Sequence, residues 1–245
     1  ANIASEVGQG TDYPQNITNG FTVENSEVSH MDTLGIYMNY WWPGGTADTF
    51  THAGIVNSVI RNNIVYDLGF RAEGNNAIGL LFNHADQLRF EGNYIHHVAQ
   101  NGMALSRSII QSPDQWGFLP AEIKTGEILI KDNIFEKACL LNADCGALKI
   151  QGSPPDNHVF RDLLITGNIF RNTYGWTYIS EQRERWSGGP SSDVQGMGGF
   201  GLYLDNASGA HVYRNIAYNN ASSGFHLYNN WWDGDIVYYN NIAAN

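Results

Sequence analysis

The stretch NIAYNNASSGFHLYN, Asn215–Asn229, decides the fold. It begins with Asn and an apolar residue, passes through a short polar segment, and continues after a glycine with alternating apolar side chains. The same order recurs in repeats that begin at Asn25, Asn63, Asn93, Asn133 and Asn168, and its opening returns at Asn241. Such self-similarity predicts a repeat protein rather than a fold with one unrepeated core.

The apolar pattern within each repeat has a period of two residues, which is typical of strands and not of helices. The shortest repeat, from Asn215 to Asn241, has 26 residues, about the length of three short strands and three turns. The sequence therefore predicts an all-β solenoid of parallel strands. The pairs expected on the inward face of its Gly-led strands are Ile36/Met38, Ile78/Leu80, Met103/Leu105, Leu148/Ile150, Leu202/Leu204 and Phe225/Leu227.

The asparagine that opens each repeat has a structural role in this prediction. Asn tolerates the left-handed backbone conformation of a tight turn, and its amide can hydrogen-bond to the equivalent Asn one coil away. We therefore expect a column of stacked asparagines along the solenoid, with no catalytic role.

The charge of the chain excludes several classes of protein. It has 13 Lys and Arg against 24 Asp and Glu, a formal net charge of −11, which argues against a nucleic-acid-binding surface. No apolar run reaches the roughly 18 residues of a membrane span. Because 13% of the residues are aromatic, the chain is also unlike a disordered one. We expect a folded protein whose partners are neither nucleic acids nor membranes.

The repeats NIVYDLG (63–69), GLYLDN (201–206) and GFHLYNN (224–230) resemble those of the right-handed parallel β-helix superfamily of pectate lyases, polygalacturonases and related polysaccharide enzymes. The resemblance extends from about Asn16 to Asn245. It implies that residues 1–245 form a single right-handed parallel β-helix of about seven coils, with long loops flanking one face. It also implies a secreted, extracellular or cell-surface protein that acts on a polysaccharide.

The two cysteines, Cys139 and Cys145, are close together in the chain. A disulfide between them would close a small loop and would suit an oxidising compartment. The alternative is a pair of buried thiols.

The long insertions lie beside the Gly-led strands. Residues 41–52 and 109–126 follow such strands directly, and residues 174–200 precede one. Long loops on a regular scaffold are commonly functional, and flat aromatic rings stack on sugars. We therefore expect a substrate groove on this face, lined by Trp41, Trp42, Trp116, Trp176, Trp186, Trp231, Trp232 and Gln151.

The outward positions of the same face carry the candidate catalytic residues. If the apolar pairs point inward, neighbouring coils, about 4.8 Å apart, bring together the residues between them. The expected cluster consists of a column of Lys149, Tyr203 and His226, with Asp205 and Tyr228 beside it and Arg107 and Asp144 close enough in sequence to join it.

This cluster suits β-elimination of a uronic-acid-containing glycan. That reaction needs a group that neutralises the carboxylate, a base for the C5 proton and an acid for the leaving oxygen. Lys149 or Arg107 would neutralise the carboxylate. His226 would act as the base, and Tyr203 or Tyr228 as the acid. The same groups would serve a C5-epimerase.

A glycoside hydrolase on the same groove is a second interpretation, and it needs two carboxylates about 5–9.5 Å apart. GALK (146–149) and GLYLDN (201–206) resemble a motif of xylosidase-like β-helix hydrolases, which implies that Asp205 is one carboxylate. Tyr228 stands where that family has a Glu, so Asp144 or Glu181 would have to supply the other.

A third interpretation is not catalytic. The cluster is then a solvated polar ladder in which Lys149 and Asp205 form an ordinary surface ion pair. The protein is in this case a glycan-binding module, an adhesin segment or a structural filament solenoid.

No spacing of Cys and His predicts a zinc site, so no metal ligands are assigned. The resemblance implies Ca²⁺ as a candidate cofactor, because many β-helix lyases use it to bridge to the substrate carboxylate. The Asp-rich segment 232–235 is a candidate place for it.

We expect neither end of the solenoid to be covered by the chain itself. The residues before Asn16 lack helical periodicity and have few apolar side chains, and the last repeat stops after Asn241 has opened it. Open strand edges pair with other chains. The sequence therefore predicts flanking capping segments or end-to-end self-association, with 1–245 as a segment of a longer chain or of an assembly.

Overall fold

Strands and turns alternate throughout the part of the chain that the structure describes. The computed structural model describes residues 3–6, 17–39, 54–70, 78–83, 87–106, 127–141, 144–151, 159–175, 198–205, 207–228 and 236–244. These residues form 23 β-strands and no helix. A search of the same residues accordingly finds no helix that could cross a membrane.

The Gly-led strands stack into one parallel sheet, which we call the site sheet. This confirms the prediction that all six of them share a sheet, and a seventh strand near the N-terminus joins them. In order, the site sheet consists of β1 (Ile3–Glu6), β5 (Ile36–Asn39), β9 (Leu80–Asn83), β12 (Met103–Ser106), β15 (Gly146–Gln151), β18 (Phe200–Asp205) and β21 (Phe225–Tyr228).

Two further seven-stranded sheets complete the coils, and a two-stranded sheet pairs β2 (Ile17–Asn19) with β6 (Gly54–Val56). The second sheet consists of β3 (Thr22–Glu24), β7 (Val59–Arg61), β10 (Arg89–Glu91), β13 (Ile128–Lys131), β16 (Val159–Thr166), β19 (Ser208–Tyr213) and β22 (Val237–Tyr239). The third sheet consists of β4 (Glu27–Met31), β8 (Ile64–Leu68), β11 (Tyr94–Val98), β14 (Ile134–Glu136), β17 (Ile169–Arg171), β20 (Ile216–Tyr218) and β23 (Ile242–Ala244).

The order of strands within each sheet follows the order of the repeats. Neighbouring strands are parallel, as β15 and β18 are in the site sheet. The shortest repeat, Asn215 to Asn241, contains β20, β21 and β22, which is one strand for each sheet as expected. The architecture is therefore a parallel β-solenoid.

The inward side chains form one continuous apolar core. Register partners in the site sheet that are fully buried include Ile36, Leu80, Met103, Leu148 and Leu202. Phe135 and Phe170, on successive coils of the third sheet, stack with ring centroids 5.4 Å apart. Each such side chain contributes about 1.5–3 kcal/mol by leaving water. The coils are held together mainly by this column.

The register of β9, in the second coil, differs from the predicted one. The sequence predicts Ile78 and Leu80 as its inward pair, whereas Leu80 lies opposite Ile36 and Phe82 lies opposite Met38. Ile78 precedes β9 and is buried there. Because Ile78, Leu80 and Phe82 are all apolar at a period of two, the alternation does not choose between the two registers.

Glycine leads these strands because neighbouring coils approach closely at that position. A Cβ on Gly102 would lie 2.6 Å from the carbonyl oxygen of Ala147 in the next coil, and one on Gly35 would lie 2.8 Å from that of Gly79. The Gly79 carbonyl accepts a hydrogen bond from the Gly35 N–H at 2.9 Å. A side chain at these positions would push the coils apart and weaken such bonds.

The predicted column of asparagines is present, and most of it is buried. Asn133 Nδ2 donates to Asn168 Oδ1 and to the backbone carbonyl of Phe90, both at 2.9 Å, and the Asn133 N–H donates to the same Oδ1 at 3.0 Å. Equivalent bonds join Asn63 to Asn93 and Asn215 to Asn241. Each amide thus satisfies buried donors of the coil before it, as buried polar groups require.

The column begins with Ser26, not with Asn25 as the repeat predicts. The Ser26 N–H donates to Asn63 Oδ1 at 3.0 Å, and Glu27 lies opposite Ile64. The sequence predicts one Asn that has both the left-handed backbone and the position in the column. In the structure, the left-handed residue is the one that directly precedes the residue in the column. The residues before the column positions, all with positive φ, are Asn25, Asn62, Gly92, Asp132, Gly167, Arg214 and Asn240.

Cys139 and Cys145 form a disulfide with their Cα atoms 5.8 Å apart, and both residues are buried. The sequence leaves open a disulfide or a pair of buried thiols, and the structure shows the disulfide. The bond closes a short segment that ends directly before β15, and Asp144 lies in that segment.

Candidate functional site

The outward face of the site sheet brings much of the predicted cluster together. Across β15, β18 and β21, one column of register partners consists of Lys149, Tyr203 and His226, and the next of Gln151, Asp205 and Tyr228. The register of these six residues is the expected one, because strand alternation places them on the opposite face from Leu148, Leu202 and the other core residues. Their catalytic roles stay predictions.

Lys149 is buried between two carboxylates. Its side chain is 7% exposed, and its Nζ lies 3.1 Å from Asp144 Oδ2 and 3.2 Å from Asp205 Oδ2. The ammonium also lies 4.6 Å from the centroid of the Tyr203 ring, a cation–π contact. The ion pair with Asp205 is thus present, but the alternative of an ordinary surface pair is wrong, because the ammonium is removed from water. Loss of either partner would be costly.

The two carboxylates differ in exposure: the Asp144 side chain is 45% exposed and that of Asp205 only 14%. Asp144 meets the ammonium with both oxygens, at 3.2 and 3.1 Å. Because an oxygen of each carboxylate lies within 3.2 Å of the same nitrogen, these two oxygens are separated by at most about twice that distance. This upper limit lies below the roughly 6.5–9.5 Å that separates the two carboxyl groups of inverting glycosidases.

Tyr203 keeps its phenolic proton at neutral pH. Burial raises the pKa of Tyr203 well above its ordinary value of 10.0, and the negative charges of Asp205 and Asp144 raise it further. In this environment the phenol is a proton donor.

His226 is a neutral imidazole at pH 7. Its ring stacks on Phe200 with centroids 4.2 Å apart and meets the Tyr203 ring edge-on at 5.0 Å. Burial lowers the pKa of His226 below its ordinary value of 6.5, although the charges of Asp205 and Asp144 act in the opposite direction. A neutral imidazole can accept a proton, so a base and a proton donor lie side by side.

Phe200 belongs to this cluster, and the sequence does not predict it. It lies two residues before the buried Leu202, so a period of two assigns it to the inward face. Its ring instead contacts Tyr203, at 5.0 Å, and His226. Phe200 begins β18, and the regular alternation does not extend to this first residue.

Other predicted site residues lie outside the described part of the chain. They are Arg107, Glu181 and the tryptophans Trp41, Trp42, Trp116, Trp176, Trp186, Trp231 and Trp232, with the candidate calcium segment 232–235. Gln151 is described and exposed at the end of β15. Within the described ranges, no group of three or more His, Cys, Asp or Glu side chains is placed to hold a metal ion.

A second polar cluster, on the outward face of the third sheet, was not predicted. Arg171 Nη2 donates to Glu136 Oε2 at 2.7 Å, and Tyr94 and Asn172 also donate to the Glu136 carboxylate. Burial by itself raises the pKa of Glu136, but the hydrogen bonds from these three residues outweigh it and lower the pKa to about 2. Because the charges of Arg171 and Glu136 are paired with each other, we interpret this cluster as structural.

Comparisons of the chain with protein-family models, curated proteins and solved structures found no match. The class of the protein is therefore defined by its architecture alone. It is a parallel β-solenoid with a charged and aromatic cluster on one sheet. Because a fold of this kind does not determine an activity, the function has to be argued from the cluster itself.

Proposed function

We propose that the protein is a right-handed parallel β-helix of the pectate lyase and polygalacturonase type, and that it cleaves a uronic-acid-containing polysaccharide by β-elimination. The contact between His226 and Tyr203 carries this proposal. Burial moves the pKa of His226 down and that of Tyr203 up, so that a neutral base and a protonated acid coexist over a wide pH range. Titratable neighbours whose pKa values are moved apart are typical of acid–base sites.

In the proposed reaction, His226 removes the C5 proton, the bond between C4 and the glycosidic oxygen breaks, and a double bond forms between C4 and C5. Tyr203 donates its proton to the leaving oxygen, and no water is added. Proton transfer from the imidazolium to the phenolate restores both groups. In C5 epimerisation the proton of Tyr203 would instead return to C5 on the opposite face.

Lys149 supplies the positive charge that the reaction needs, since the C5 proton becomes acidic when the neighbouring carboxylate is neutralised. It is the one lysine or arginine in the described strands of the site sheet. The disulfide between Cys139 and Cys145 supports a secreted protein, because such bonds persist in oxidising compartments.

The short separation of Asp144 and Asp205 favours a second candidate, a retaining glycoside hydrolase. That mechanism needs one carboxyl group that carries a proton and one that does not. Lys149 makes ion pairs with both carboxylates, which does not distinguish them in this way. We therefore place β-elimination first.

The test is a screen of polygalacturonate, alginate and neutral xylan, with and without Ca²⁺. We expect the ultraviolet absorbance of an unsaturated uronate to appear with at least one polyuronate and not with xylan. New reducing ends without this absorbance would favour the hydrolase. Binding without turnover would favour a glycan-binding module. Either result would overturn the proposal.

A matched pair of variants assigns any activity to the cluster. His226→Gln should reduce kcat at least about 100-fold, the scale of a lost general base. His211→Gln changes an exposed histidine on β19 of the second sheet and should leave kcat unchanged. Equal losses in the two variants would contradict the role of His226.

A further inference from the structure

Asp144 and Asp205 both contact Lys149, but the chain holds the two carboxylates in different ways. Asp205 is part of β18, whose backbone pairs on both sides, whereas Asp144 lies in the segment directly before β15. Asp144 is also the more exposed of the two carboxylates. Its carboxylate can therefore leave the ammonium without any change in the paired strands, while that of Asp205 is held by the sheet.

We propose that Asp144 is an internal carboxylate that occupies the anion position on Lys149, and that a carboxylate of the ligand displaces it. This inference rests on the proposed function, and it identifies the ligand class as a free uronate rather than a neutral or esterified sugar. Asp144 already places two carboxylate oxygens within 3.2 Å of Nζ, which is the contact that a uronate carboxylate would make.

The charge of the buried Lys149 ammonium explains why the site would bind a free uronate rather than a neutral or esterified sugar. Among the residues that the structure describes, Lys149 has two carboxylate partners, Asp144 and Asp205, and it keeps two when a uronate replaces Asp144. A neutral sugar or a methyl ester in the same place would leave the ammonium with one carboxylate, and loss of a partner from a buried ion pair is costly. The exchange also lets a chain with a net charge of −11 accept an anionic ligand at this point.

Asp144 competes with the ligand, so the removal of its charge should strengthen binding. In isothermal titration calorimetry with trigalacturonate and trimannuronate, we expect Asp144→Asn to bind at least one acid about tenfold more tightly than the unaltered protein. The methyl-esterified trisaccharides should show no gain. Asp132→Asn is the matched control: it removes the same charge from an exposed Asp that lies 3.6 Å from Lys131, and it should change affinity less than twofold.

Equal or weaker acid binding by Asp144→Asn, an equal gain for the esters, or no binding of either acid would overturn the inference. A second measurement needs no variant. In carbon-13 NMR of the unaltered protein, the Asp144 carboxyl signal should move when the acid is added while that of Asp132 stays; an unmoved Asp144 signal would contradict the displacement.

These readouts separate the inference from the proposed lyase activity, because they measure binding. Tighter acid binding by Asp144→Asn without an unsaturated product would support the carboxylate site and contradict the lyase. An unsaturated product with unchanged affinity in Asp144→Asn would support the lyase and contradict the displacement.

Discussion

His226 and Tyr203 are titrating residues that burial moves in opposite directions. Proton uptake by His226 would remove the base, and this requires a pH below its lowered pKa. Proton loss from Tyr203 would remove the acid, and this requires a pH above 10.0. We therefore predict that kcat/KM for elimination increases with pH through a pKa below 6.5 and then stays level to pH 10. A decline of the pH–rate profile between pH 7 and 9 would contradict these roles.

Asn133 illustrates what one residue of the asparagine column does. Its Oδ1 accepts hydrogen bonds from the N–H and from the Nδ2 of Asn93, at 2.8 and 3.0 Å. Asn133→Ala leaves the buried Asn93 N–H without its acceptor and leaves Asn93 Nδ2 with only its bond to the Ile60 carbonyl. We therefore predict a loss of about 3 kcal/mol in the free energy of unfolding, measured with urea. The exposed Lys131, two residues earlier, is the control, and Lys131→Ala should change stability by less than about 0.5 kcal/mol. Similar losses in the two variants would contradict the role of the column.

At the scale of elements, the cluster of Glu136 joins β11, β14, β17 and β20, since Arg171 also donates to Tyr218 at 3.1 Å. The pKa of Glu136, about 2, lies below its ordinary value of 4.5. The cluster therefore contributes its full stability above pH 4.5, and this contribution is lost as the pH falls towards 2.

We predict that Glu136→Gln lowers the free energy of unfolding at pH 7 by about 1–3 kcal/mol and makes its decline between pH 4.5 and 2 shallower. Urea unfolding across this pH range measures both effects. Glu127→Gln, at an exposed position, is the control. If the curves of unaltered protein and Glu136→Gln ran parallel through this range, the pKa of Glu136 would not be the cause.

The elements were predictable because each depends on a local pattern. The glycines and the period of two placed six strands in one sheet, and with them the column of Lys149, Tyr203 and His226. The prediction was wrong where the pattern fitted more than one arrangement. Three alternating apolar residues are compatible with two registers of β9, and the wrong one was predicted. The asparagine column begins with Ser26 and not with the expected Asn25.

The rest of the site depends on contacts between coils, which alternation does not encode. The burial of Lys149 between two carboxylates comes from Asp144, a residue outside any strand. The stacking of Phe200 on His226 joins the first residue of β18 to the next coil. For that reason the sequence predicted the residues of the column but not their protonation states.

At the scale of the whole molecule, the last described coil has an apolar surface. Val237, Tyr238 and Ile242 are at least 40% exposed, and β21, β22 and β23 are the final strands of their three sheets. Exposed strand edges pair readily with other chains. We predict that residues 1–245 associate increasingly as concentration rises, in sedimentation velocity, and that Ile242→Lys weakens the association. A single monomeric species at millimolar concentration would contradict this prediction.

The central claim is that the cluster of the site sheet removes the C5 proton and protonates the leaving glycosidic oxygen, so that the bond breaks without the addition of water. The most direct test is mass spectrometry of the products from a uronic-acid oligosaccharide cleaved in water labelled with heavy oxygen. We expect fragments whose masses add up to that of the substrate, with no label incorporated. One labelled oxygen atom for each bond cleaved would show hydrolysis and would contradict elimination.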